Sequence, residues 1–291
     1  MKNVLSKEVV IYFQNFSYSY PTKRNVLIDI NLKVYKGEVL GIIGPNGAGK
    51  STFCKSLNGL VPHFYGGTVK GNVIVAGMDT LEHTIAELST KVGIVFQEPE
   101  NQLSGLALTV EEEVGFGLSM LGFPRELIKE RVKEAIEKVG LKGLERRSPF
   151  ELSGGQQQRL AIATILAMKP EIMVLDEPTS LLDPIGKYEV FLVLKELIVE
   201  GSTIIIAEHE IEELAYLTDR ILFLKEGKVI SLDEARNVLS EISKLKEAGI
   251  DPPSITELTY LLEKELGIKI DKYPIKLSEA VKLYSEVLKI K

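Results

Sequence analysis

Apolar residues in this chain gather in short unbroken runs separated by long stretches of helical period. Glu38 to Ile43, Val92 to Phe96, Ile172 to Asp176, Thr203 to Ala207 and Ile221 to Leu224 are compact runs with little alternation. Runs of this kind suit strands buried on both faces, as in a parallel sheet covered by helices. Residues 8–36 read instead as short strands with turn signals, Tyr20-Pro21 among them. A helix is predicted to begin near Gly49 and to carry Ser51, Phe53 and Leu57. Thr109 to Met168 is mostly helical in pattern, broken at Gly122-Phe123-Pro124 and at Ser148-Pro149. It interrupts the strand series as a helical insertion, about residues 98–168.

The texture changes after Leu232. Asp233 to Ala248 is amphipathic, Gly249-Ile250-Asp251-Pro252-Pro253 is a breaker, and helical segments follow over Ser254 to Leu266 and Leu277 to Ile290. The expected organisation is one α/β unit over 1–232, holding the insertion, and a small C-terminal helical appendage over 233–291. Neither an internal repeat nor a low-complexity tract is visible.

Composition narrows the function classes. With 45% hydrophobic residues the chain can bury a sizeable core, which argues against disorder. A formal charge of -6 argues against general nucleic-acid affinity, because a phosphate backbone would be repelled. One cysteine cannot form an internal disulfide, which fits a reducing compartment. Lys7 and Glu8 stand where a secretory core would be apolar, so no signal peptide is expected. No run approaches the roughly 18 apolar residues of a membrane span, so any membrane role must pass through a partner.

The strand ending at Ile43 leads into Gly44-Pro45-Asn46-Gly47-Ala48-Gly49-Lys50-Ser51-Thr52, a complete G-x-x-x-x-G-K-[ST] loop. Its glycines let the backbone curl and aim N–H groups at phosphates, and the following helix adds its positive end. Lys50 is expected to reach the β- and γ-phosphates, and the Ser51 hydroxyl to ligate Mg²⁺. Ile172-Met173-Val174-Leu175-Asp176-Glu177 is an apolar strand ending in two carboxylates. Asp176 suits holding Mg²⁺, usually through water, and Glu177 suits polarising the attacking water. His63 and His83 fit no motif and read as surface or packing residues.

Between these two signals lies Leu152 to Leu160, LSGGQQQRL. This segment resembles the signature of the ABC ATPase family, and the resemblance covers about residues 8–230 with every motif in order. It implies a P-loop NTPase of ABC ATPase type: an N-terminal antiparallel β-subdomain, the helical insertion and the C-terminal appendage. It implies ATP and Mg²⁺ as ligands. It further implies that Ser153, Gly154, Gly155 and Gln156 close over the ATP of a second ABC subunit, the same chain or a relative, and that Asp183 lies in the loop coupling the two sites. Gln97, after the strand Val92 to Phe96, matches the glutamine that contacts Mg²⁺ and the attacking water. His209 matches the histidine that contacts the γ-phosphate. Tyr20 matches the aromatic that stacks on adenine, with Tyr18 as the competing choice.

Within the family, Phe96-Gln97-Glu98-Pro99-Glu100-Asn101-Gln102-Leu103 and Asp251-Pro252-Pro253 are most similar to the ATPases of energy-coupling factor importers. That likeness implies an ATP-hydrolysing engine for uptake of a vitamin or a transition-metal ion such as cobalt. Its expected partners are a transmembrane coupling subunit and a membrane-embedded substrate-binding subunit, and its expected place is the cytoplasmic face of the membrane. The alternative is a soluble ABC-type ATPase acting as a clamp on a non-transport partner. Two departures stand out: Glu208 precedes the histidine where many members have Thr, and Leu182 replaces a smaller residue.

Overall fold

The computed structural model describes residues 8–267 and 269–287. Among the described residues ten strands form two sheets. Strands β1 (Val9–Ser19), β2 (Leu27–Tyr35), β4 (Thr68–Val75) and β5 (Met78–Asp79) make an antiparallel sheet in the order β2-β1-β4-β5. Strands β3 (Val39–Ile43), β6 (Val92–Val95), β7 (Ile172–Asp176), β8 (Thr203–Ala207), β9 (Arg220–Lys225) and β10 (Lys228–Glu234) make the second, ordered β10-β9-β3-β8-β7-β6. In it only β10 runs antiparallel to its neighbour.

The second sheet is a wall between two cores, and this explains its unbroken apolar runs. Along β3, Val39 and Ile43 face one core while Leu40 and Ile42 face the other. Ile204 and Ile206 against Ile205 and Ala207 repeat the alternation on β8, as do Met173 and Leu175 against Ile172 and Val174 on β7. The first core is closed by helices, the second by the antiparallel sheet and the helix Lys50–Ser56. Phe13 of β1 stacks on Phe53 of that helix at 4.5 Å between ring centroids.

The N-terminal region differs from the expected short strands: β1 and β2 have 11 and 9 residues. A bulge in β1 is the reason. The pairing shifts between Phe13 and Phe16, Asn15 takes φ 48°, and both phenylalanines turn inward three positions apart. A bulge breaks the period of two on which a long strand is recognised.

Between β6 and β7 the chain forms helices Val110–Met120, Arg125–Lys138 and Gly154–Met168. Leu106, Phe116, Ile128 and Val132 with Glu111 and Arg125 line a groove of about 980 Å³ on this subdomain. Downstream, β10 runs through the expected 232/233 boundary to Glu234. The predicted amphipathic helix over 233–248 is two short ones, Ala235–Leu239 and Ile242–Glu247. Ala235, Val238, Leu239, Leu245 and Ile275 join the first core. Helices Ser254–Leu266 and Leu277–Val287 follow; the expected continuation to Ile290 lies outside the described residues.

Arg159, buried in the middle of Gly154–Met168, ties three helices. Its Nη1 donates to the carbonyls of Val139 at 2.9 Å and Gly140 at 3.1 Å, and Nη2 lies 3.0 Å from a Glu189 carboxylate oxygen. Arg159→Ala is predicted to lower stability by about 2–4 kcal/mol, because the buried Val139 carbonyl and the part-buried Gly140 carbonyl lose a charged donor. Denaturant unfolding checks this; a change under about 0.5 kcal/mol contradicts it.

Candidate active site

The site forms where β3, β7 and β8 end side by side. The loop after β3 curls under tight steric limits. Gly44 has φ +156°, and an added Cβ would lie 2.3 Å from the Leu224 carbonyl oxygen. Gly49 has φ +108°, and its Cβ would lie 2.8 Å from the Val26 carbonyl oxygen. Side chains are excluded at both, so the loop is fixed against β9 and the start of β2.

Lys50 opens the following helix and is only 5% exposed. Its Nζ donates to the Gly44 carbonyl at 3.0 Å and lies 3.4 Å from both Glu177 Oε1 and His209 Nε2. Glu177 Oε1 is 2.8 Å from His209 Nε2. Lys50, Glu177 and His209 therefore converge from β3, β7 and β8. Glu177 holds φ 52°, uncommon for a residue with a side chain and found most at functional sites. Its N–H donates to the Ala207 carbonyl at 2.9 Å, which pins the strained turn to β8.

Ser51 Oγ donates to Asp176 Oδ1 at 3.0 Å. Burial pushes the Asp176 carboxyl above its ordinary range, Ser51 pulls it back, and Glu177 adds to the rise. A buried carboxylate beside a second one is an environment that a cation relieves. Gln97 lines a cavity with Ser51 and Asp176. Hydroxyl, carboxylate and amide oxygens are hard donors suited to Mg²⁺, which typically takes one or two carboxylates and completes its shell with phosphate and water. Among the described residues no group of three or more His, Cys, Asp or Glu could hold a metal ion.

A cavity of about 340 Å³ runs along the loop, lined by Tyr20, Lys23, Asn46 through Thr52, Gln97 and Glu177. Tyr20 OH is 3.2 Å from Thr52 Oγ1. Tyr18 is 1% exposed and donates its hydroxyl to the Gly66 carbonyl at 2.6 Å. It packs edge-on to Tyr20, so of the two tyrosines only Tyr20 offers a ring to a ligand. Gly44 and Pro45, with Asn46, line a second cavity reaching His209, Asp251 and Pro252. His63 and His83 bond to the carbonyls of Thr80 and Asp79 and take no part.

Ser153, Gly154, Gly155 and Gln156 are not brought to this cavity. Ser153 caps the helix Gly154–Met168: its Oγ accepts from Gln156 N, and Gln156 Oε1 accepts from Ser153 N at 3.0 Å. Gly155 meets Gly186 so closely that an added Cβ would lie 3.0 Å from the Gly186 Cα. Asp183 caps the helix Pro184–Val199 by accepting from Gly186 N at 2.8 Å. The signature and the Asp183 loop thus form one surface, separate from the phosphate loop.

Sequence reasoning missed the partners of Glu208. Its Oε1 accepts from Thr179 N at 3.0 Å and Thr179 Oγ1 at 2.8 Å, and its Oε2 from His209 N at 3.2 Å. Its departure from the family pattern was the only available signal. Nearby, burial pushes the Glu213 carboxyl up to about 7, with Glu208 adding to the rise.

Comparison with known proteins agrees with this geometry. Residues 27–180 match the family model described as ABC transporter. The energy-coupling factor transporter ATP-binding protein EcfA1 of Caldanaerobacter subterraneus is 43% identical over 278 residues, covering 94% of this chain and 97% of the relative. The solved structure of cbiO1 from Clostridium perfringens, described as part of the ABC transporter complex cbiONQ, superposes with a TM-score of 0.72. It is 32% identical and covers 87% of this chain and 100% of that one. An ATP-binding cassette solved as a dimer in a post-hydrolysis state with ADP and Pi gives a TM-score of 0.67 at 30% identity, covering 78% and 99%. Over this breadth the sheet order, the phosphate loop and the signature agree with one reading: the chain belongs to the ABC transporter family, as an ATP-binding and ATP-hydrolysing subunit.

Proposed function

We propose that this ATPase powers an energy-coupling factor importer for a vitamin or a transition-metal ion such as cobalt. The observation that carries the reading is the breadth of the likeness to EcfA1, which spans 94% of the chain and so reaches beyond the cassette core into the C-terminal extension. Among the described residues no helix is long and apolar enough to cross a membrane. As the likeness to the importer ATPases implies, the chain works at the cytoplasmic face through a transmembrane coupling subunit and a membrane-embedded substrate-binding subunit. The groove beside Phe116 and Ile128 on the helical insertion, adjoining the segment after Gln97, is the proposed seat of the coupling subunit.

In this reading Gly44 to Thr52 cradle the phosphates and Tyr20 carries the adenine. Lys50 exchanges Glu177 for the β- and γ-phosphates as its counter-charge, which releases the Glu177 carboxylate to accept a proton from the attacking water. His209 turns to the γ-phosphate. Ser51, Asp176 and Gln97 would hold Mg²⁺, which when bound supplies positive charge to the phosphate oxygens. Ser153 to Gln156 and Asp183 of a second cassette complete the site, and two such sites closing and reopening transmit the motion.

Affinity purification of the tagged chain from detergent-solubilised native membranes is expected to recover a second cassette, a multi-span subunit and a small membrane-embedded binding protein. Recovery of soluble partners alone, from a membrane-free fraction, would contradict the importer reading. Glu177→Gln is expected to bind ATP within about threefold of the parent and to lose at least about a hundredfold in turnover. Hydrolysis at the parent's rate would remove Glu177 from the base role.

A further inference from the structure

His209 is flanked by two glutamates, and both reach the segment that leaves β7. Glu208 bonds to the backbone and hydroxyl of Thr179, two residues beyond Glu177. Glu210 pairs with Lys187 on the helix that Asp183 caps. The two contacts differ in weight. The Lys187–Glu210 pair is partly exposed, and such pairs contribute little. Glu208 is 1% exposed and accepts three hydrogen bonds, of which the two from Thr179 are buried and the one from His209 N is part-buried. A buried carboxylate bonded in this way is costly to retain unless its geometry serves a purpose, and leaving any of its donors unpaired is costly too.

The bonds are shared between two loops. Oε1 serves Thr179 and Oε2 serves the N–H of His209. The Thr179 carbonyl in turn accepts from Leu182 N at 3.1 Å, which carries the connection to the residue before Asp183. The His209 ring lies within 3.4 Å of Lys50 and 2.8 Å of Glu177. Its side chain is 39% exposed, so little packing fixes its direction. If a triphosphate takes Lys50 and displaces Glu177, the backbone anchor is what remains to hold the ring over the phosphate loop.

We infer that Glu208 is a positioning residue: its carboxylate fastens the His209 backbone to the Thr179–Asp183 loop and so orients the imidazole toward the γ-phosphate. The inference rests on the proposed contact of His209 with that phosphate. It also makes the angle of His209 respond to the loop that meets the second cassette. A threonine at this position would be too short to span to Thr179 in the same way, so the link depends on the glutamate.

The test is a binding cycle that needs no turnover. Affinities for ADP and for a non-hydrolysable ATP analogue are measured by calorimetry for the parent, Glu208→Gln, His209→Ala and the double variant. Gln keeps an acceptor for Thr179 but turns an NH₂ group toward His209 N, so it breaks the histidine side of the link. Glu208→Gln is expected to cut the preference for the triphosphate by about five- to tenfold with ADP affinity unchanged, and to add less than about twofold in the His209→Ala background. An unchanged preference, an equal weakening of both nucleotides, or the same loss with and without His209 would overturn the link. If His209→Ala alone leaves the preference intact, the assignment of His209 fails and the inference fails with it. If His209→Ala lowers the preference and Glu208→Gln does not, only Glu208 is wrongly placed. Should Glu208→Gln not fold, Thr179→Val removes the hydroxyl donor from the other side. It is expected to lower the preference in the same direction, and parental behaviour in it would also overturn the link.

Discussion

A lysine ammonium held at 5% exposure in the wall of an open cavity sets the terms for everything around it. Lys50 has one carbonyl and one carboxylate oxygen within reach, and the carboxylate is Glu177. Desolvating a cation is expensive unless opposite charge is close and well placed. Glu177 supplies that charge only by accepting a strained left-handed backbone and by sharing its oxygen with His209. A triphosphate would offer Lys50 and His209 more negative charge than Glu177 does, and would leave Glu177 without them. In the proposed function, binding and readiness for chemistry are then one event: the anion that neutralises Lys50 also frees the carboxylate beside it.

The sheet makes this convergence possible. Parallel strands β3, β8 and β7 lie side by side, Glu177 and His209 directly follow the ends of β7 and β8, and Lys50 is returned to them by the phosphate loop that leaves β3. Because both faces of the sheet are buried, the strands cannot shift without opening a core on one side or the other. The glycines at 44 and 49 let the loop lie directly against the Leu224 and Val26 carbonyls, so the cradle inherits the rigidity of the sheet. The signature surface is built differently. Ser153 and its capping box present an exposed helix start, held by the contact of Gly155 with Gly186, and do not line the cavity along the chain's own phosphate loop.

Much of this was legible in the amino-acid order, for physical reasons. The five apolar runs stood out because burial on both faces removes the polar positions that would otherwise interrupt them. The phosphate loop was legible because its glycines answer steric limits that no other residue meets. The long first strand was not, since the bulge at Asn15 puts Phe13 and Phe16 on one face against the usual alternation. The region after Leu232 was ambiguous because β10 is an edge strand with a half-exposed pattern, and the turn near Ser240 splits what reads as one amphipathic helix. Glu208 could be flagged but not interpreted. Its partner Thr179 is 29 residues away, and only the pairing of β7 with β8 brings them together.

The most direct test is the shift in melting temperature that ATP produces in the parent chain and in Lys50→Ala. The parent is expected to rise by roughly 5–10 °C at saturating ATP, as a ligand bound to the folded state alone requires. Lys50→Ala, folded without nucleotide, is expected to show a rise of less than about 1 °C at the same concentration. A parental shift in Lys50→Ala would mean that the buried ammonium does not hold the phosphates, and the reading of the site built around it would be wrong.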